Sequence, residues 1–265
     1  MVRIVTSESN SVVKLAKRLR DKRGRDKEGA FLIEGANLLT EAQKSGARIT
    51  HIFLREKEDS GTALGGAPEI DTVMLGGALF DEIADTVTPQ GVMAIVRKPE
   101  RELRLGEVDF RNDGKSLVVL DRLQDPGNVG GIIRSAAAAG FDGVVSVADT
   151  ADVFSRKVVR ATAGAIFRIP IRFAPDGEAV LEYLRTHSIR TAACTMTGDR
   201  SYSEAALAGD VAIIVGNEGG GLSEEFLAGA DERVYIPMRE GVESLNASVA
   251  AAIVMFEKKR QEAIC

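Results

Sequence analysis

Three short stretches hold the residues whose types and spacing could do chemistry. The first, DPGNVGGIIRSAAAAG (125–140), sets Asn128 after a Pro-Gly turn and ahead of a helical run. Gly130 and Gly131 fall in that helix's first turns, where each costs roughly 1 kcal/mol of propensity relative to Ala, so close approach by another segment or a ligand is expected. Arg134 stands among small and apolar neighbours, and an arginine so placed meets a carboxylate or a phosphate. The second stretch, IIVGNEGGGLSEE (213–225), ends an apolar strand in Gly216, Asn217 and Glu218 followed by three glycines. Successive glycines expose backbone N–H groups that can form a polar nest, but Glu218 repels an anion and the Lys-Ser/Thr of a Walker loop is missing. A neutral or cationic ligand suits this loop better. The third stretch, YIPMREGVESLNASVAAAIVMFEKK (235–259), leads from a strand through Ser244, Leu245 and Asn246 into a helix. Each stretch also has a purely structural reading: Asn128 and Asn246 as N-caps, Ser223 as another, and Val249, Ile253 and Phe256 as a core or dimer stripe.

These stretches need elements to hold them. Apolar runs SLVVL (116–120), GVVSVA (143–148), FRIPIRF (167–173), RTAACTM (190–196), DVAIIVG (210–216) and RVYIPM (233–238) read as strands, most of them separated by helix-length segments. Near-continuous apolar strands alternating with helices predict a largely parallel sheet covered on both faces, with ligands beyond the carboxyl ends of its strands. The three stretches lie at such ends. The first part of the chain predicts a smaller αβα domain: strands FLIEG (31–35), THIFL (50–54), EIDTVML (69–75) and VMAIV (92–96), a helix between the first two with Gly46 as its C-cap, and another near 77–84. Residues 99–114, polar and closing on an Asn-Asp-Gly turn, read as a linker between domains 1–98 and 115–265.

Composition narrows the chemistry. The 265 residues have two histidines and two cysteines, and no clustered metal-ligand spacing, so no metal site is expected. No apolar run is long enough to span a membrane, the start MVRIVTSESN does not read as a signal peptide, and sparse cysteine suits a reducing cytoplasm. The net charge of −5 is unevenly spread: residues 11–27 hold eight Lys/Arg against two Asp, about +6. That run is either a solvated helix face or an arm that tracks phosphates, through Lys14, Lys17, Arg18, Arg20, Lys22, Arg23 and Arg25.

Taken together, Asn128, Arg134 and Gly140, then VGNEGGG (215–221), then IPM and SLNASVA (236–238, 244–250) resemble the three motifs of the SpoU, or TrmH, RNA ribose 2′-O-methyltransferases. RATAGAIF (160–167) is similar to that family's segment between its first and second motifs, and FLIEGANLLTEAQKSG to the L30e-like substrate-binding domain many members carry. The resemblance implies an α/β fold in which a largely parallel SPOUT-type sheet with a deep trefoil knot follows the small domain. It implies S-adenosylmethionine as cofactor, held by Thr195, Gly216, Asn217, Ile236, Met238 and Leu245. Arg134 takes the place of the motif arginine, with Asn128, Glu218, Ser244 and Asn246 arranging it, the loop and the ribose hydroxyl. RNA is the implied substrate, ribosomal before transfer RNA, and a homodimer through the C-terminal domain is implied as well. A non-catalytic RNA-binding factor with the same fold is an alternative, and a nicotinamide oxidoreductase a weaker one, since G-x-G-x-x-G is not matched.

Overall fold

The computed structural model describes residues 3–56, 70–99, 105–106 and 116–263. The chain forms two compact units: Met1–Glu100 with Phe154–Phe167, and Arg101–Val153 with Arg168–Cys265. Apart from Pro99 and residues 105–106, the expected linker lies outside the described residues.

The first unit is built on a five-stranded sheet of β1 (Arg3–Val5), β2 (Ala30–Glu34), β3 (Ile49–Arg55), β4 (Asp71–Leu75) and β5 (Val92–Arg97). Their order is β1-β4-β3-β5-β2, with β1, β4 and β3 parallel and β5 antiparallel to both of its neighbours. Helices α1 (Ser11–Arg18), α2 (Lys22–Glu28), α3 (Ala36–Lys44) and α4 (Gly77–Ile83) accompany the sheet. The basic run is therefore no separate arm. Its apolar residues Val12, Val13, Ala16 and Leu19 recur at helical spacing and are buried in one core with Phe53, Phe80 and Ile83. Asn10 and Asp21 cap the two helices through their side chains, and Gly29 ends α2 in the left-handed conformation at φ 58°.

A segment from the middle of the chain completes this unit. Helix α6 (Arg156–Ala161) and the 3₁₀ turn Ala165–Phe167 pack with it through Phe154 and Phe167, whose rings lie 5.0 and 6.2 Å from that of Phe31. Arg156 donates to the Ile83 carbonyl, and Arg160 pairs with Asp85 at 3.0 Å. Gly164, at φ +93°, approaches Glu41 so closely that a Cβ would sit 2.7 Å from its Cγ.

The second unit is a seven-stranded sheet, ordered β10-β12-β9-β11-β6-β7-β8 and parallel at every pairing. Its strands are β6 (Ser116–Leu120), β7 (Gly143–Val147), β8 (Ile171–Ala174), β9 (Arg190–Cys194), β10 (Arg200–Ser201), β11 (Val211–Val215) and β12 (Glu232–Tyr235). Side chains alternate across the sheet. Leu117, Val119, Ala212 and Ile214 join a core with α7 (Gly177–Thr186) and α8 (Glu224–Gly229). Val118 and Ile213 are equally buried on the opposite face, where α5 (Pro126–Ala139) packs on β7 and α9 (Ala247–Glu262) on β11. Burial on both faces explains the unbroken apolar strands.

Several expected strands begin or end elsewhere, FRIPIRF and RVYIPM among them. FRIPIRF starts its strand only at Ile171, because Pro170 has no N–H to give a ladder and Phe167 belongs to the aromatic cluster of the first unit. RVYIPM ends its strand at Tyr235, leaving Ile236–Met238 as loop.

Candidate active site

The order β11-β6-β7 holds the sheet's switch point: the chain leaves β6 in one direction to β7 and later returns to lay β11 on the other side. Such a reversal opens a crevice beyond the carboxyl ends of the two central strands. The loops after β6 and β11 meet there, joined by the loop that enters α9.

The loop after β11 is shaped by Gly216 and Asn217. A Cβ on Gly216 would lie 2.5–2.6 Å from the backbone of Gly221 and Leu222, so only glycine fits. Asn217 and Gly221 exchange both backbone hydrogen bonds at 2.9 Å. The Asn217 Oδ1 accepts from the N–H groups of Gly219 and Gly220, also at 2.9 Å, so the nest expected of these glycines is filled by the chain's own amide. Its Nδ2 donates to the Arg122 carbonyl at 2.8 Å, tying this loop to the one after β6. Beside it, buried Asp121 accepts from the Ser223 N–H at 2.6 Å. Ser223 stands at the N-cap of α8 but its hydroxyl caps nothing, and this Oγ is buried without a partner among the described residues.

In the first motif the cap is Asp125, not Asn128. Its side chain accepts from the Asn128 N–H at 2.8 Å and Pro126 opens the helix, which leaves the Asn128 amide free for other work. Asn128 donates through Nδ2 to Glu218 Oε1 at 2.8 Å, and its Oδ1 accepts from Asn246 Nδ2 at 2.8 Å. Asn246 is the N-cap of α9, its Oδ1 accepting from Ser248 and Val249 N–H at 3.0 and 3.3 Å. Glu218, Asn128 and Asn246, separated by more than a hundred residues from end to end, thus form one hydrogen-bonded chain. The carboxylate also accepts from the N–H groups of Gln124 and Asp125, both at 3.1 Å. Partial burial opposes its charge, but the bonds from Asn128 and from the N–H groups of Glu218 itself, Gln124 and Asp125 outweigh that and hold the carboxyl below its usual range.

Arg134 is exposed, and among the described residues its guanidinium has no hydrogen bond or ion pair. It lies one turn beyond Gly131 on the same side of α5. At Gly131 a Cβ would come within 3.1 Å of Ser248 Cβ, so this glycine lets the starts of α5 and α9 approach.

The cofactor candidates occupy the carboxyl ends of three adjacent strands. Thr195 follows β9, with its N–H on the Val234 carbonyl at 2.9 Å; Gly216 and Asn217 follow β11; Ile236 and Met238 follow β12. All five are half-buried, while Ser244 and Leu245 are exposed. Exposed Met196 and Val242 lie in the same loops. Half-buried apolar walls among neutral loop groups fit an adenosine with a cationic sulfur, and nothing in this set calls for an anion. Desolvation pushes the thiol of Cys194, at the end of β9, up to about 12, which disfavours the thiolate that a nucleophile needs. Among the described residues no group of three His, Cys, Asp or Glu could hold a metal.

The basic residues of α1 and α2 divide. Lys17 is paired with Glu82 and Glu8 at 2.7 and 2.9 Å, Arg18 with Glu28 at 2.9 Å and Lys22 with Asp26 at 2.9 Å. Arg25 corrects the expectation that it meets a phosphate. It is only 4% exposed and donates to the Leu19 and Arg20 carbonyls at 2.9 and 2.7 Å, closing the end of α1. Lys14, Arg20 and Arg23 are exposed with no ion pair among the described residues. Sequence reasoning passed over Asp121, Gln124 and Asp125. An Asp directly before Pro is a cap signal that could have found the last of these.

Parallel α/β architecture with three loops converging at the switch point defines a protein of the cofactor-binding α/β class. Comparison with known proteins makes this specific. Residues 115–256 match the model of the SpoU rRNA Methylase family, and residues 10–94 that of an MRM3-like substrate binding domain. The chain belongs to the SpoU rRNA methylase family. It is 34% identical over 254 residues to the 23S rRNA (guanosine(2553)-2′-O)-methyltransferase RlmP of Bacillus subtilis, covering 95% of this chain and 97% of that one. With the mitochondrial rRNA methyltransferase 3 of Xenopus tropicalis it shares 30% identity, over 95% of this chain and 74% of the relative. Among solved structures, an AdoMet-bound rRNA methyltransferase from Sinorhizobium meliloti superposes with a TM-score of 0.85 at 31% identity, covering 98% of both chains. The SpoU methyltransferase AviRb from Streptomyces viridochromogenes, in complex with AdoMet, gives 0.83 at 25% identity, over 95% of this chain and 98% of that one.

Proposed function

We propose that this chain is an S-adenosylmethionine-dependent RNA methyltransferase acting on a ribose 2′-hydroxyl, with ribosomal RNA as its substrate. The observation that carries the reading is the Glu218–Asn128–Asn246 chain, which ties one residue of each motif to the others beside an uncommitted arginine. The names of the relatives favour ribosomal RNA. Trefoil threading of the C-terminal unit, the division at residues 99–114 and a cytoplasmic setting belong to the same reading. Among the described residues no helix is long and apolar enough to cross a membrane.

When bound, S-adenosylmethionine supplies an electrophilic methyl for the ribose oxygen. Thr195, Gly216, Asn217, Ile236 and Met238 would hold it at the strand ends, with Leu245 from the loop that enters α9. Arg134 donates to the target phosphate and ribose and stabilises negative charge as it develops on the 2′-oxygen. A guanidinium carries five N–H donors and no acceptor, so donation is the role its chemistry favours. Glu218, Asn128 and Asn246 keep the loops around Arg134 in register, and Ser244, two residues before Asn246, would meet the ribose. Fixed placement is itself a large part of such catalysis. Lys14, Arg20 and Arg23 would attract the RNA, joined by Lys17, Arg18 and Lys22 wherever phosphate displaces their exposed carboxylate partners.

The dimer is part of the proposal. Val249 and Phe256 are each 47% exposed on α9 with Ile253 half-buried between them, an apolar stripe that the chain's own core does not use. Methyl transfer from labelled S-adenosylmethionine to separated ribosomal and transfer RNA tests the reaction. A 2′-O-methylated nucleoside in ribosomal RNA is expected, and product in transfer RNA alone would transfer the assignment to that substrate.

A further inference from the structure

Two residues other than glycine adopt left-handed backbone conformations at adjacent strand ends: Arg122, at φ 55° after β6, and Asp149, at φ 63° after β7. Such conformations persist where surrounding bonds hold them, and they cluster at functional sites. Here both carbonyls point to one side chain. The Gln124 Nε2 donates to the Arg122 carbonyl at 3.1 Å and to the Asp149 carbonyl. Gln124's own N–H points the other way, to Glu218 Oε2 at 3.1 Å. The two loops are laced further by the Ala151 N–H on the Leu123 carbonyl at 2.8 Å and by the Thr150 hydroxyl on the Leu120 carbonyl at 3.0 Å. The Gln124 side chain is exposed, so it fills no core space and its removal opens no cavity.

We infer that Gln124 is a positioning residue: by bridging the Arg122 and Asp149 carbonyls it aims the backbone N–H groups of Gln124 and Asp125 at Glu218, and so sets the register of the loop that carries Asn128 and Arg134. The inference rests on the methyltransferase reading for its effect on rate, but not for its effect on Glu218. Gln124→Glu keeps the length and removes both donors, setting a carboxylate against two carbonyl oxygens. Gln124→Ala removes the reach altogether.

The test compares wild type, Q124A, Q124E, E218Q and Q124A/E218Q. The Glu218 carboxyl is followed by NMR of carboxyl-labelled glutamate, its signal assigned by its loss in E218Q. In Q124A it should titrate at higher pH than in wild type, with the melting temperature lowered by no more than that shift implies. With RNA, kcat should fall about tenfold or more in Q124A and further in Q124E, with cofactor affinity within about twofold. The double variant should be no slower than E218Q alone, as expected of residues acting through one group. A Glu218 titration identical in Q124A and wild type would overturn the inference, as would a loss of kcat that merely follows a lower melting temperature. If Glu218 shifts as expected while the wild type methylates no RNA, the positioning stands and the methyltransferase reading falls.

Discussion

A carboxylate accepts hydrogen bonds and cannot donate them, so Glu218 dictates the orientation of two amides in turn. Asn128 must present its NH₂ to Glu218, which leaves its oxygen for the NH₂ of Asn246 and the Asn246 oxygen for the first turn of α9. Replacing Asn246 by Ala removes a cap worth about 1 kcal/mol and also strands the Asn128 oxygen. The variant should melt lower and lose activity beyond what the cap explains, as thermal melts and turnover on the same sample will show. Glu218 brings a pH dependence of known sign. Its folded value lies below the ordinary 4.5, so its contribution to stability is complete above 4.5 and is lost as pH falls through the lower native value. E218Q should be less stable at neutral pH, and its stability should change less with pH below 4.5, as measured by urea unfolding across that range. Arg134→Ala should leave cofactor affinity intact and cut methyl transfer about 10²–10³-fold, the scale of a lost oxyanion donor. Asn128, Arg134, Glu218 and Asn246 were all singled out in the sequence by type and spacing. What was not legible was which asparagine caps a helix: Asn128 after Pro-Gly looks like a cap until Asp125 is seen to take the position.

Elements converge here because glycine lets them. At Gly216 an added methyl would strike backbone at 2.5 Å, and no rotamer can relieve that; at Gly131 it would press on Ser248 at 3.1 Å, which a small shift of α9 can relieve. G216A should therefore lose folded yield or cofactor binding, whereas G131A should fold and show only a modestly reduced rate. Circular dichroism and cofactor titration separate the two. The helices of the basic run were partly legible. Val12, Val13, Ala16 and Leu19 follow helical spacing, but eight interleaved cations draw attention to charge and away from the buried stripe. Deleting residues 1–27 would accordingly remove core as well as charge. Reversing Lys14, Arg20 and Arg23 to Glu is the cleaner probe. It should weaken RNA binding and reduce the salt slope by about one for each phosphate that is no longer neutralised, while Arg25→Ala should lower the melting temperature.

For the whole molecule, strand-by-strand reading succeeded where strands are buried on both faces, as in SLVVL and VAIIV, because continuous apolar runs have few other uses. It failed for Phe154–Phe167. That segment lies in sequence between β7 and β8 of the second unit yet packs in the first, through ring contacts with Phe31 that no local pattern announces. The stripe of Val249, Ile253 and Phe256 was legible as apolar, but only the fold shows that the chain's core leaves Val249 and Phe256 exposed. Val249→Asp with Phe256→Asp should convert the proposed dimer into a monomer, as sedimentation would reveal, and an unchanged mass would assign the stripe elsewhere. The central claim is the reaction itself, and the most direct measurement is transfer of a labelled methyl to ribosomal RNA by wild type and R134A, followed by nucleoside analysis. A 2′-O-methylated nucleoside formed by wild type and almost absent with R134A is the predicted result. Label in a base, or equal product from both proteins, would contradict it.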